Sequence, residues 1–295
     1  MTIAISWVRK VQNYEQLVFV SDSRISGGES FDGCPKILRF ARTDCAVAFA
    51  GVAAHAFPMM EQLGLAIEAY PKMARGAHEI TRVKTHALKV LNTMLPLFST
   101  TVRNPPAWLT QPGAEFIFGG YNWKRKEFQL WNIRLNHERL FAASPAKYWA
   151  HDAGTNFFNR AVTYPDPART ESWKVGPIAF AGDQAQTASD LLQAKMLVKA
   201  RIGASSLHFD MEPFEVVRDM LRDPNRSQTI GGPPQVVKVF QYLRSAPFAV
   251  YWPSKAEGIP YLHGRPVLAY EALDKQVIDP DTLAEESVRP RATST

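Results

Sequence analysis

The order in which strand-like and helix-like segments follow one another most constrains the fold of this chain. Strand patterns come first, at residues 2–8, 16–21, 36–41 and 45–50. Apolar residues three and four apart then predict two helices after Ala53. The remaining segments are strands between 114 and 144 and from 175, two helices between 183 and 223, and final strands within 234–252.

Strands and helices therefore occur in blocks instead of alternating one by one. Block order disfavours a doubly wound parallel sheet and favours layered α+β packing. Two antiparallel sheets face to face, with a helix pair outside each, would satisfy the order. The sequence thus predicts an α+β fold of the four-layer αββα sandwich type.

The periodicity also suggests how the chain is divided. It is lost after about residue 255, and it is weak at about 145–174. We therefore predict one domain over residues 1–254 with an irregular insert at 145–174. Residues 255–295 are predicted to form an extended C-terminal tail with a disordered tip.

Composition excludes several classes of function. The net charge of +6 is spread along the chain without a basic run, so a solvated surface is favoured over nucleic-acid binding. No apolar run of about 18 residues and no signal-peptide pattern is present, which predicts a cytoplasmic protein without a membrane partner. The seven histidines form no HExxH pair, and Cys34 and Cys45 lack zinc-site spacing. No metal and no cofactor are expected, and the two cysteines are expected to be buried thiols.

The opening segment "MTIAISW" places a hydroxyl residue, Thr2, where removal of Met1 would make it the amino terminus. A threonine hydroxyl is a poor nucleophile unless a base lies beside it, and an α-amino group on the same residue is such a base. That amine has an ordinary pKa near about 8, so it can accept a proton close to neutral pH.

Several motifs in the first part of the chain support this interpretation of Thr2. They are a Thr-led first strand, "SDSR" at the end of the second strand, "CPKILRF" after a Gly-rich loop, and "AVAFAGVAAHA" before the first helix. In this order the motifs resemble the proteasome β-subunit branch of the N-terminal nucleophile (Ntn) hydrolases, including the bacterial proteasome-like proteins. The segments "FIFGGYN" and "TIGGPPQVVKV" are similar to later parts of the same family.

The resemblance implies a role for each matching residue. Thr2 would supply the nucleophile and the proton-accepting amine, and Lys36 would lower the pKa of that amine. Asp22 would pair with Lys36, and the Gly51 backbone N–H would stabilise the oxyanion. Apart from the resemblance, Arg24 is interpreted as a structural residue that braces the turn after the second strand.

The chain departs from the family pattern in two places. The Gly-Ser-Gly expected at the start of the third helix is matched only by Ala181-Gly182-Asp183 or by "HDAGTN", neither of which has a serine. The late Asp and Ser have no clear match either, because "NRSQTIGG" offers Ser227 and Thr229 in an uncertain register.

The resulting hypothesis is a threonine peptidase or amidohydrolase that forms an acyl-enzyme on Thr2 and assembles into a homo-oligomeric ring or stack. Its substrate would be a peptide or another amide, and the sequence identifies no unfoldase partner. Two alternatives stay open. One is a catalytically inactive proteasome-like subunit used for assembly or binding, and the other is an amidase that uses Cys34 as its nucleophile.

Overall fold

The computed structural model describes residues 2–27, 29–99, 112–152, 155–159, 173–201 and 208–288. Within these ranges the helices are α1 Ala53–Glu68, α2 Pro71–Ala74, α3 Ile80–Met94, α4 Ala185–Arg201 and α5 Glu212–Arg222. The predicted helix pairs after Ala53 and between residues 183 and 223 are confirmed. None of the described helices has the length and apolar character that crossing a membrane requires.

Strands make up most of the regular structure. In the N-terminal half they are β1 Ala4–Val11, β2 Tyr14–Ser21, β3 Ile25–Ser26, β4 Ser30–Phe31, β5 Ile37–Arg39, β6 Cys45–Gly51, β7 Ala114–Asn122, β8 Glu127–Leu135 and β9 Phe141–Pro145. Later in the chain they are β10 Lys147–Asp152, β11 Thr155–Asn159, β12 Trp173–Ala181, β13 Gln235–Phe240, β14 Arg244–Tyr251, β15 Pro260–Leu262, β16 Arg265–Pro266, β17 Leu273–Ile278 and β18 Glu285–Val288.

The described strands form three sheets. The largest has eleven strands, in the order β11-β10-β12-β1-β2-β13-β14-β15-β16, with β17 pairing with β14 and β18 with β17. A second sheet joins β5 to β9 in chain order, and β3 pairs with β4. Every described pair is antiparallel except β14 with β17.

The expected four-layer αββα sandwich is wrong. The described residues instead form mostly antiparallel β structure, in three sheets of unequal size that do not close. Two segments without clear periodicity account for the difference. The insert supplies β10 and β11, and the C-terminal segment supplies β15 to β18, and all six strands join the largest sheet.

The C-terminal segment is tied to the rest of the chain by backbone pairing. Val250 of β14 pairs with Tyr261 of β15 and also with Ile278 of β17. Residues 289–295, where a disordered tip was predicted, and residues 160–172 of the insert lie outside the described residues. The division into a domain and a tail stays a prediction.

Strand β1 is buried on both of its faces. Ile5 and Trp7 belong to an apolar cluster that includes Phe214 of α5. Ala4, on the opposite face, belongs to a cluster with Ala48 of β6. Burial on both faces explains why the opening segment is almost continuously apolar, and it fixes the position of the residue that precedes β1.

Candidate active site

Antiparallel pairing brings Thr2 and Asp22 to the same end of a hairpin. In the register of β1 with β2, Ala4 lies opposite Ser21. Thr2 comes just before β1 and Asp22 just after β2, so the two residues become neighbours. The Asp22 backbone N–H donates to the Ile3 carbonyl at 3.2 Å, and the Ile3 N–H donates to the Asp22 carboxylate at 3.2 Å.

Lys36 reaches the same point from the start of β5. Its backbone N–H donates to the Gln235 side chain at 3.0 Å, and its carbonyl accepts from the Phe49 N–H at 3.1 Å. The Gln235 amide also donates to the Cys34 carbonyl at 2.6 Å. Strands β6 and β13 therefore fix the backbone from which the Lys36 side chain extends.

The Lys36 ammonium contacts both Thr2 and Asp22. Its Nζ donates to Thr2 Oγ1 at 2.7 Å and to Asp22 Oδ1 at 2.8 Å. The Thr2 residue is 1% exposed, and Lys36 and Asp22 are 0% exposed. Since the hydroxyl oxygen accepts from a cation, negative charge that develops on this oxygen is stabilised in a region of low dielectric.

The Asp22 carboxylate is held by several donors besides Lys36. The backbone N–H of Arg24 donates to its Oδ2 at 3.1 Å, and that of Gly231 donates to Oδ2 at 3.2 Å. Burial raises the pKa of Asp22, while the Lys36 charge and the Ile3 and Gly231 N–H groups act in the opposite direction. These donors orient the carboxylate toward Lys36.

Asp183 contacts the backbone nitrogen of Thr2. Its Oδ1 accepts from the Thr2 backbone nitrogen at 2.7 Å, and its Oδ2 accepts from Thr229 Oγ1 at 2.6 Å. Thr229 Oγ1 lies 2.7 Å from Ser227 Oγ. Burial opposes ionisation of Asp183, but the hydrogen bonds from Thr229, Gln184 and Thr2 outweigh it, and the pKa of the carboxyl lies below its usual value.

The register of β12 explains how Asp183 reaches Thr2. Ala181 at the end of β12 lies opposite Ala4 of β1. Gly182 then turns the chain with φ +103°, and a Cβ at this position would lie 1.8 Å from the Thr2 carbonyl oxygen. Only glycine allows this close approach, and Asp183 follows directly.

Three of the four predicted catalytic residues are thus brought together: Thr2, Asp22 and Lys36. The fourth, Gly51, lies at the C-terminal end of β6 with φ +104°, and a Cβ there would lie 2.0 Å from the Gly113 carbonyl oxygen. This crowding requires glycine at position 51. Its role as an oxyanion donor stays a prediction.

The contacts of Asp183, Thr229 and Ser227 were not predicted from sequence. The sequence signal for Asp183 was its place directly after Gly182, between a strand and a helix. If that strand pairs with β1, the residue that follows the glycine comes to lie next to Thr2. Arg24 makes two hydrogen bonds to Asp32, at 2.6 and 2.8 Å, and so braces the loop after β2 as expected.

Cys34 is a poor candidate for the nucleophile. The residue is 7% exposed, and its Sγ lies 3.6 Å from the Pro35 carbonyl oxygen. Burial raises the pKa of the Cys34 thiol, although the Lys36 charge opposes the rise. A thiol must ionise to attack, so this environment disfavours the Cys34 alternative. Cys45 is likewise a buried thiol.

Comparison with known proteins adds no assignment for these residues. No family model matches the chain, and no curated protein matches it. Within the described part of the chain, no group of three or more side chains is arranged to hold a metal ion. The function of the chain therefore has to be inferred from the geometry around Thr2.

Proposed function

We propose that the chain is a threonine-type amide hydrolase that uses Thr2 as an N-terminal nucleophile once Met1 has been removed. The observation that carries this proposal is the 2.7 Å contact of Lys36 Nζ with Thr2 Oγ1, in a buried site where Asp22 accepts from the same ammonium. The Thr2 hydroxyl is the nucleophile, the Lys36 ammonium next to it activates the hydroxyl, and the Asp22 carboxylate holds the ammonium in place.

In the first half of the reaction the Thr2 oxygen attacks the carbonyl carbon of the substrate, and the hydroxyl proton passes to the α-amino group. The tetrahedral intermediate collapses by breaking the C–N bond, and the proton moves from the amine to the departing nitrogen. An ester on Thr2 results. In the second half water attacks this ester and gives one proton to the amine. The ester C–O bond to Thr2 then breaks and the amine returns that proton to the departing Thr2 oxygen, which releases the carboxylic acid and restores the Thr2 hydroxyl.

Asp183 would act on the amine in this scheme. Its carboxylate lies 2.7 Å from the backbone nitrogen of Thr2, which becomes the amine after Met1 removal. The carboxylate orients this nitrogen and favours its protonated form, whereas the Lys36 ammonium disfavours it. The proton affinity of the amine is thus set by two opposite charges.

The proposal includes the class of substrate and the context of the protein. We infer a peptide or another amide as substrate, in keeping with the resemblance of the "SDSR" and "CPKILRF" motifs to proteasome β-subunits and Ntn hydrolases. A cytoplasmic location and assembly into a homo-oligomer are part of the same proposal.

The test begins with intact mass, followed by labelling with two electrophiles. A β-lactone forms a bond only to the hydroxyl oxygen, with the amine acting as the base, whereas an epoxyketone forms bonds to both the hydroxyl and the amine of one residue to close its ring. We expect a chain without Met1 to give both adducts on Thr2 and the Thr2→Ala variant to give neither. Thr2→Ser should still react, because it keeps the hydroxyl and the amine.

Other outcomes would support the alternatives. A chain that keeps Met1, or a Met1-free chain that reacts with neither electrophile, contradicts the hydrolase and favours a subunit for assembly or binding. Amidase activity that survives in Thr2→Ala and is lost on alkylation of Cys34 would identify a thiol enzyme.

A further inference from the structure

The turn between β15 and β16, in the C-terminal segment, packs against the loop that carries Asp22. Gly264 in this turn is buried and has φ +85°. A Cβ on Gly264 would lie 2.6 Å from the Cβ of Ser23 and 3.2 Å from the Asp32 carbonyl oxygen. The turn backbone is therefore in direct contact with the residue that follows Asp22.

A second glycine contacts Ser23 as well. Gly232 has φ +68°, and a Cβ there would lie 2.4 Å from Ser23 Oγ and 2.7 Å from the Asp32 carbonyl oxygen. Two segments that are far apart in sequence thus approach Ser23 so closely that neither has space for a side chain. Ser23 itself is 0% exposed.

Hydrogen bonds transmit the position of Ser23 to the site. Its N–H donates to the Gly231 carbonyl at 3.1 Å, and its Oγ donates to the Pro233 carbonyl at 2.8 Å. The neighbouring Arg24 N–H and the Gly231 N–H both donate to the Asp22 carboxylate. A shift of Ser23 therefore displaces two of the donors that hold Asp22 against Lys36.

We propose that the β15–β16 turn is a positioning element of the active site, in which Gly264 fixes Ser23 and, through Ser23, the Asp22 carboxylate. This inference rests on the proposed function of Thr2, and it gives the C-terminal segment a role inside its own chain. Gly264 touches no reacting atom, so it acts only through Ser23 and Asp22.

The test compares Gly264→Ala with Gly258→Ala. Gly258 lies in the same segment with φ +71°, but a Cβ there meets no described atom within 4 Å. Both variants strain the backbone, and only the first displaces Ser23. We expect the first-order rate of β-lactone labelling to fall about 10- to 100-fold in Gly264→Ala. In Gly258→Ala the rate should stay within about twofold of the unmodified chain.

The final extent of labelling separates positioning from loss of folded protein. A positioning defect slows labelling while the whole sample still reacts, whereas unfolding lowers the reacting fraction. The Ser23→Gly change removes the two nearest atoms that the new Cβ would meet, Ser23 Cβ at 2.6 Å and Ser23 Oγ at 3.1 Å, and leaves the Asp32 carbonyl oxygen at 3.2 Å. Ser23→Gly/Gly264→Ala should therefore label faster than Gly264→Ala alone. Equal rates in the two glycine variants, or no rescue by Ser23→Gly, would overturn the proposal.

Hydrogen exchange tests the positioning role of Gly264 independently of the proposed function. If the unmodified chain does not label at Thr2, the hydrolase proposal fails. The positioning claim is then decided by the Arg24 and Gly231 amides, which should exchange faster in Gly264→Ala than in Gly258→Ala. Unchanged exchange at both amides would contradict it, whether or not Thr2 reacts.

Discussion

The backbone nitrogen of Thr2 lies 2.7 Å from Oδ1 of Asp183, although 181 positions separate the two residues. Lys36 Nζ lies 2.7 Å from the hydroxyl oxygen of Thr2. If Met1 is removed as proposed, this nitrogen becomes an amine, and the carboxylate next to it and the ammonium next to the hydroxyl oxygen would have opposite effects on its protonation. Changing either charge should alter how activity depends on pH.

The first prediction concerns Asp183→Asn. The amine must be neutral to accept the hydroxyl proton, so activity rises as pH passes the pKa of the amine. Without the Asp183 charge the ammonium form is less stable, and the amine pKa falls. We expect the acid limb of the pH profile to move about one unit lower, and the plateau rate to fall about tenfold as orientation is lost.

The measurement is the rate of β-lactone labelling between pH 5 and pH 9 (about four units around the ordinary amine pKa). Asp190→Asn is the control, since Asp190 is an exposed carboxylate on α4 that accepts from Gln186. An acid limb that does not move in Asp183→Asn would contradict the role of Asp183 at the amine.

The second prediction concerns Thr229, which donates to Asp183 Oδ2 at 2.6 Å. Thr229→Val keeps the shape and removes the donor, so the Asp183 carboxylate loses one of the three groups that donate to it, the others being Thr2 and Gln184. We expect a three- to tenfold lower labelling rate (about 1 kcal/mol for one hydrogen bond). Thr229→Ser keeps the hydroxyl and should retain the original rate. If the Val and Ser variants react equally fast, the hydroxyl does not orient Asp183.

The third prediction concerns the buried pair of Lys36 and Asp22. Lys36→Met leaves a carboxylate at 0% exposure without its cation, which should lower the free energy of unfolding by about 3–5 kcal/mol. Adding Asp22→Asn removes the unpaired charge, so the double variant should regain part of that stability. Neither variant should label at Thr2, because both lack the ammonium at the hydroxyl.

Arg42 and Asp44 provide a matched control for this pair. Arg42 is 0% exposed in its side chain and contacts Asp44, but neither residue contacts Thr2 in the described structure. Arg42→Met should cost comparable stability while Thr2 still labels in the folded fraction. Urea unfolding and labelling, measured on the same samples, distinguish the two variants. Labelling at the original rate in Lys36→Met would rule out activation by this lysine.

The closeness of Thr2 and Asp22 was predictable from sequence because it depends on a single hairpin. Thr2 and Asp22 flank one antiparallel hairpin, so both must lie at its open end whatever the rest of the chain does. The contact with Asp183 depends instead on the pairing of β1 with β12, and that register is a tertiary property. Sequence could identify Gly182-Asp183 as a strand-to-helix turn, but it could not choose the neighbouring strand.

The fold class was mispredicted because backbone pairing does not require a side-chain pattern. β15 and β16 have three and two residues, too few for alternation to be detected. β17 pairs with β14 in parallel, with Val277 opposite Ala249, and both residues are 0% exposed. These short strands extend the largest sheet, and their own sequence resembles an irregular tail.

The last prediction concerns His263, next to Gly264 in the β15–β16 turn. Its Nδ1 is buried and has no hydrogen-bond partner among the described residues. Burial, followed by the positive charges of Arg39 and Arg265, lowers the pKa of His263 from 6.5 to about 4. The folded chain therefore keeps this imidazole neutral at a pH where the unfolded chain protonates it. Stability should fall as pH drops from 6.5 toward 4, by up to about 3 kcal/mol.

His263→Gln removes this titration while keeping a polar side chain of similar size. We expect the variant to lose less stability than the unmodified chain over the same pH range, measured by urea unfolding at closely spaced pH values. His137→Gln, at an exposed position, is the control for a general effect of histidine replacement. Equal slopes for His263→Gln and the unmodified chain would contradict the prediction. A reduced slope would mean that protonation of His263, whose imidazolium would face Arg39 and Arg265, contributes to the loss of stability in acid.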